Sequence, residues 1–130
     1  MVLGASGVQV GSRFVASDEA SSHLNFKQAV VNAAEGDTML SLKQLTPVRL
    51  IKNNFYQQVK QAEENCAPVA QLQQLLGRGR AKRGMFEGEL DEGELEIGQV
   101  SALIHKIQPA AEIVAEIWNE YNALKRQAAE

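Results

Sequence analysis

Gly7-Val8-Gln9-Val10-Gly11-Ser12-Arg13-Phe14 is the stretch on which the reading of this chain turns. Val8, Val10 and Phe14 are apolar, and β-branched valines pack well on a pleated surface. The run is short and bounded by glycine, the pattern of a buried strand in a parallel sheet. The expected strand stops at Gly11-Ser12. Glycine there lets the backbone approach a ligand closely, and Ser12 adds a hydroxyl beside a free N–H. Such donors at the carboxyl end of a parallel strand suit an anion such as phosphate. The stretch is not a nucleoside-triphosphate loop. That loop wants glycine five residues before Gly11 and lysine after it, where this chain has Ser6 and Ser12. From spacing alone, a core strand ending in a tight turn accounts for the same residues.

Downstream, Ser17 or Asp18 caps an expected helix from about Glu19 to Ala34, with Phe26, Ala29, Val30 and Ala33 facing a core. His23 reads as a surface or capping residue. Glu35-Gly36-Asp37 is a turn between that helix and a strand at Thr38–Leu42. A second strand is expected at Val48–Ile51, with Pro47 placing it at an edge or a strand start. Phe55, Tyr56, Val59 and Ala62 return to helical spacing between Asn53 and Asn65. Arg49, Lys52 and Asn53 form a polar cluster that faces either a ligand or solvent. Ala67 to Leu76 is a further helix, with Pro68 in its first turn and Gly77 as its stop.

Arg78, Arg80, Lys82 and Arg83 make a basic run whose one nearby aromatic is Phe86; a solvated loop or helix face accounts for it better than a nucleic-acid patch. Directly after it, Glu87-Gly88-Glu89-Leu90 recurs as Glu92-Gly93-Glu94-Leu95. The alternate Asp/Asn ligands of a calcium loop are missing. The two opposite runs either keep the chain soluble or pair with each other. A short apolar helix is expected at Val100–Ile107, with His105 in a structural role near its end. Pro109 opens the last helix, whose stripe of Ile113, Val114, Ile117, Trp118, Tyr121 and Leu124 reads as core packing.

Composition is that of an ordinary domain: 45% hydrophobic, 22% charged, net charge −3, which points to neither a nucleic-acid nor an acidic-substrate partner. No apolar run approaches the ~18 residues of a membrane span, and Met1 to Val10 lacks the early positive charge of a signal peptide. The one cysteine, Cys66, allows neither an internal disulfide nor a cysteine metal cluster, so a reducing cytoplasm is expected.

Taken in order, the opening stretch, Asp18-Glu19, His23-Leu24-Asn25-Phe26-Lys27, Glu35-Gly36-Asp37-Thr38, Pro47-Val48-Arg49-Leu50-Ile51-Lys52-Asn53, Phe86-Glu87-Gly88-Glu89 and Glu96-Ile97-Gly98-Gln99 resemble a known family across nearly the whole chain. It is that of the flavin-dependent nitronate monooxygenases (2-nitropropane dioxygenase-like), with the type II flavin-dependent enoyl-acyl-carrier-protein reductases as close relatives. The resemblance implies an α/β fold, a TIM-type (β/α)8 barrel binding FMN. Such a barrel needs about 250 residues and commonly holds phosphate in the loops after strands seven and eight. With 130 residues, this chain is expected to be the C-terminal part, strand eight followed by a mostly helical region, as a truncated gene or a fragment. Met1 to Gly4 would end a preceding helix. The expected division is 1–35, last barrel strand and following helix; 36–107, a lid-like insert; and 108–130, a C-terminal helix.

By resemblance, Gln9, Val10, Gly11 and Ser12 are the strand-eight half of the FMN phosphate site. Ser12 stands where the family usually has threonine, which keeps the hydroxyl. Gly98 and Gln99 are implied to line the active site. The catalytic histidine and the strand-seven glycines are expected upstream, so no catalytic residue and no metal ligand is assigned here. The implied function is oxidation of alkyl nitronates with O2. The alternatives are enoyl-thioester reduction with NAD(P)H as co-substrate, and an inactive fragment or helical interaction domain. The implied partners are a small-molecule substrate and a second copy in a homodimer, without nucleic acid or membrane.

Overall fold

Alternation along one short strand divides the interior in two. In the computed structural model, which describes residues 4–128, β1 (Thr38–Ser41) pairs antiparallel with β2 (Val48–Ile51), Thr38 opposite Ile51 and Ser41 opposite Val48. Successive strand residues point to opposite faces, so Leu50 and Ile51 enter different clusters. Leu50 packs with Leu42, Phe55 and Val59. Ile51 packs against Ala16, Phe26, Val30, Leu95, Ile97 and Ile104. The segment from Glu94 to Ile97 lies along the other edge of β2: Ile51 N–H donates to the Leu95 carbonyl at 3.0 Å and Ile97 N–H to the Arg49 carbonyl at 3.1 Å.

The helices α1 (Ser12–Val15), α2 (Leu24–Asn32), α3 (Asn54–Glu64), α4 (Val69–Leu76) and α5 (Ala110–Gln127) surround this partition. His23, not Ser17 or Asp18, caps α2: its Nδ1 accepts from Asn25 N–H at 3.1 Å. The helix starts later than the spacing predicts because the backbone before it is held elsewhere. Asp18 N–H donates to the Gln108 carbonyl and Gln108 N–H to the Ala16 carbonyl, a parallel bridge at Ser17 that helical backbone could not make. Buried Lys27 closes the same corner, its Nζ donating to the carbonyls of Ser17 (2.6 Å) and Asp18 (3.1 Å). Asn53 caps α3 through Tyr56 N–H. Gly77, at φ +63°, ends α4. The basic and acidic runs pair with each other, Arg80 with Glu92, Lys82 with Glu87 and Arg83 with Glu89 at 3.2–3.6 Å. Arg80 turns inward: its guanidinium donates to the carbonyls of Leu75, Leu76 and Glu92 and lies 4.4 Å over the Phe55 ring.

Three further expectations are corrected. Val8 and Val10 form no strand: residues 7–11 make no ladder, and Ser12 opens the one turn of α1. A buried parallel strand needs neighbours on both sides to take its N–H and C=O groups, and the described residues offer none there. The α5 stripe is not core either. Ile113 alone of it is buried; Val114, Ile117, Trp118 and Leu124 are exposed. The expected helix at Val100–Ile107 is a 3-10 helix at Gln99–Leu103, with the chain extended at Ile104. Of the helix end expected at Met1–Gly4, Met1, Val2 and Leu3 lie outside the described residues. Among the described residues, no helix is long and apolar enough to cross a membrane.

Candidate functional site

β2 and α1 bring two distant candidate segments together. The Glu94, Leu95, Glu96, Ile97 sequence alternates polar and apolar, the period-two signal of a half-buried strand, and it docks on β2 with Leu95 and Ile97 inward. The chain then leaves the sheet edge at Gly98, beside α1. There the Ser12 hydroxyl accepts from Gly98 N–H at 3.2 Å, across 86 positions of sequence. A Cβ on Gly98 would lie 2.8 Å from that hydroxyl oxygen, so glycine is what permits the approach. A serine hydroxyl has one proton to donate and can accept twice. Accepting from Gly98 leaves the Ser12 proton free for another acceptor.

Ser12 and Gly98 line a cleft of about 390 Å³ together with Arg49, Glu96, Pro47 and Val48. Arg49 comes from β2, and one arm of its guanidinium donates to the carbonyl and the hydroxyl of Thr38, both at 3.2 Å. That pins the side chain at the mouth of the cleft. Arg49 also borders a neighbouring cleft of about 730 Å³, where it meets Gln99, Thr38, Glu35 and the exposed apolar Val100 and Leu103. The site therefore offers a hydroxyl proton, a fixed guanidinium and an apolar shelf, with Glu96 offsetting part of the positive charge. Glu94, on the same docked segment, has its carboxyl pushed up to about 6, by burial first and the Glu96 charge second, against a lowering pull from Arg80.

The remaining candidates are placed apart. Gln9 and Gly11 are exposed. Val10 turns away from Ser12 into an apolar groove against α5. Of the polar cluster at the end of β2, Arg49 reaches the clefts. Asn53 serves structure, capping α3 and donating to the carbonyls of Leu90 and Gly93, and Lys52 is exposed. Glu96 and Thr38 were not singled out by sequence for this site. The alternation around Glu96 is the signal that would have placed it.

The sequence profile described as nitronate monooxygenase matches residues 1–120. The chain is similar to a probable nitronate monooxygenase of Staphylococcus saprophyticus, 31% identical over 106 residues, which are 80% of this chain and 29% of that protein. It is similar also to a probable nitronate monooxygenase of Bacillus subtilis, 31% identical over 100 residues, 76% of this chain and 28% of that protein. The structure of FabK from Thermotoga maritima superposes with a TM-score of 0.88 at 32% identity, covering 98% of this chain and 40% of that one. The chain thus spans less than a third of the length of these two curated relatives.

Proposed function

The chain belongs to the nitronate monooxygenase family, and we propose that it supplies one side of the FMN phosphate site of an oxidoreductase acting on alkyl nitronates with O2. The observation that carries this reading is the contact between Ser12 and Gly98. It joins, beside the Arg49 guanidinium, two segments that the family resemblance independently assigns to the flavin. The donor set suits a phosphate: a hydroxyl with a free proton and a fixed cation in one cleft. In this reading Ser12 and the backbone at Gln9, Val10 and Gly11 hold the phosphate end, while Gly98 fixes Ser12 and Gln99 faces the reacting side. When FMN is bound, the redox chemistry is that of its ring. The catalytic proton-transfer group is expected in the part of the family fold that this chain does not span.

The likeness to FabK, with the resemblance to type II enoyl reductases, supports a second reading in which an enoyl thioester is reduced at the expense of NAD(P)H. Under either reading the chain alone is half a phosphate cradle. A charge-assisted hydrogen bond contributes only about 1.5–3 kcal/mol, and that must offset the entropy of binding. Calorimetry on the isolated chain should show FMN affinity no tighter than micromolar.

The deciding experiment grafts this chain in place of the matching segment of the Staphylococcus saprophyticus relative. Flavin content is read by absorbance, and turnover is measured with an alkyl nitronate plus O2 and with an enoyl thioester plus NADH or NADPH. In the graft, Gly11→Val should abolish flavin retention. A Cβ at Gly11 meets nothing within 4 Å in this chain, and circular dichroism of the graft separates loss of the ligand's place from a misfold. Ser12→Ala should weaken FMN roughly 10- to 100-fold. Gln99→Ala should keep the flavin and lower turnover. Wild-type flavin stoichiometry in Gly11→Val would remove the site assignment.

A further inference from the structure

Gln99–Leu103 winds as a 3-10 helix. At three residues per turn, side chains three positions apart stand one above the other. Ser101 and Ile104, which follows the helix, share the inner edge and are buried. Val100 and Leu103 share another edge and form an apolar ridge, 48% and 74% exposed. They stand about 6 Å apart along the helix axis. The ridge lines the cleft of about 730 Å³, with Ala102 beside it and Gln99 at its head. The remaining side chains of that cleft are polar: Glu35, Thr38 of β1 and Arg49 of β2. The Thr38 carbonyl and hydroxyl hold one arm of the Arg49 guanidinium at 3.2 Å, which keeps its charge off the ridge. A concave site with an apolar lining and a few fixed polar groups is the ordinary form of a small-molecule pocket. Its size exceeds what a small substrate needs. A cavity of about 150 Å³ holds benzene, a molecule about the size of propyl nitronate. A short nitronate among the polar groups would leave the ridge in water.

Resting on the reading of this site as one for alkyl nitronates, we propose that the Val100–Leu103 ridge seats the alkyl tail of the substrate and selects long linear nitronates over short ones. The anionic nitronate group stays among the polar groups of the cleft, and the tail runs along the ridge. Each methylene laid on the ridge leaves water, which favours the longer homologue by up to about fourfold per methylene. Leu103, the more exposed of the pair, gives the tail most of its contact.

The test titrates the isotope-labelled chain with 1-nitropropane and 1-nitrohexane, following the amide signals by NMR. 1-Nitrohexane should move the signals of Val100–Leu103 and bind about tenfold or more tighter than 1-nitropropane. Leu103→Ser should cut that preference to less than about threefold. Leu24→Ser, an exposed apolar position on α2 outside the cleft, should leave it unchanged. Circular dichroism of both variants should match the parent chain. Equal affinity for the two nitroalkanes would overturn the proposal. So would shifts at Val10 and Trp118 in place of Val100–Leu103, or an undiminished preference in Leu103→Ser. In the graft, Leu103→Ser should lower kcat/KM for hexyl nitronate about tenfold, with propyl nitronate changed by less than about twofold and flavin content unchanged. Equal losses on both nitronates would overturn the tail's place on Leu103. The titration reads neither flavin nor turnover. A graft inactive on every nitronate would therefore remove the reaction proposed above, while chain-length preference in the titration still establishes the seat.

Discussion

Phe55 and Trp118 are both large aromatics on amphipathic helices, and they have opposite fates. Phe55 is fully buried among Leu42, Leu50 and Val59, and the Arg80 guanidinium covers its ring. Trp118 is largely exposed and touches Tyr121 on its own helix, centroids 5.6 Å apart. Hydrophobicity does not separate them. What separates them is where their partners lie in sequence. The side chains that pack on Phe55 lie between residues 42 and 80, and the acidic loop closes over them, its Asp91 carbonyl accepting from Phe55 N–H at 3.1 Å. The α5 stripe and the Val8–Val10 segment pack mainly toward each other and leave an open groove. The chain is thus part self-sufficient and part dependent, and stability measurements can tell the two parts apart.

The largest effect should come from the closed part. Phe55→Ala removes a fully buried ring and the surface on which Arg80 lies, and should cost about 3–5 kcal/mol in chemical denaturation. A loss below about 1 kcal/mol would mean that this cluster does not hold the chain together. Next comes the crossing of the acidic loop with the turn at Lys82–Phe86. A Cβ on Gly93 would run into the Glu89 carbonyl and the Gly84 backbone, while one on Gly84 would lie 2.8 Å from the Glu94 carbonyl oxygen. These are backbone obstacles that no rotamer change relieves. Gly93→Ala should cost about 2–3 kcal/mol. It should also loosen the segment from Glu94 to Ile97 on β2, seen as faster amide exchange at Ile97.

The same division explains what was legible in the sequence. Both strands, α3, α4 and the start of α5 at Pro109 follow from spacing, because their signals are local: Asn53 before α3, Gly77 after α4, Pro47 before β2. The family resemblance assigns Ser12 to the phosphate site and, separately, Gly98 and Gln99 to the active-site lining; in the structure Ser12 and Gly98 are in contact and Gln99 lies in the next cleft. The strand at Val8 and Val10 was legible as a pattern and wrong as an element, since a parallel strand exists only with neighbours. The α5 stripe was misread as core for the same reason. His23 reads as a surface or capping residue and it caps, but the helix start is expected too early, because a bridge to Gln108, 91 residues beyond Ser17, holds the residues where Ser17 or Asp18 would otherwise cap. The Lys82–Phe86 turn has no signal in spacing, being fixed by contacts with the acidic loop.

A smaller effect tests the electrostatics where the closed part meets the site. Glu94 holds its proton more tightly in the fold than in the unfolded chain, with a pKa of about 6 against the ordinary 4.5, because burial and Glu96 disfavour the charge. An acid raised in this way weakens the fold as pH climbs from 4.5 through 6, and the penalty is constant above that. With Glu94 buried, a shift of this size is a penalty of about 1–2 kcal/mol. Glu94→Gln should therefore gain about 1–2 kcal/mol over the parent at about pH 8 and nothing at about pH 4, measured by urea unfolding. A gain independent of pH would assign the effect to packing.

The smallest effect is the most discriminating. Trp118→Ser deletes one of the largest apolar side chains in the sequence, yet in the isolated chain it should cost less than about 0.5 kcal/mol, as for an exposed position. Little apolar area leaves water at Trp118 when this chain folds, so little is forfeited when the indole is removed. In the graft, where the rest of the family fold is present, that energy is deferred rather than lost: it is released when α5 is covered. The same substitution that is silent in urea unfolding of the chain should then destabilise the graft by about 3 kcal/mol or more, as for a buried aromatic. Phe55→Ala should behave differently, acting on the chain whether it is isolated or grafted. Equal effects of Trp118→Ser in both measurements would erase the distinction between a closed part and a waiting one.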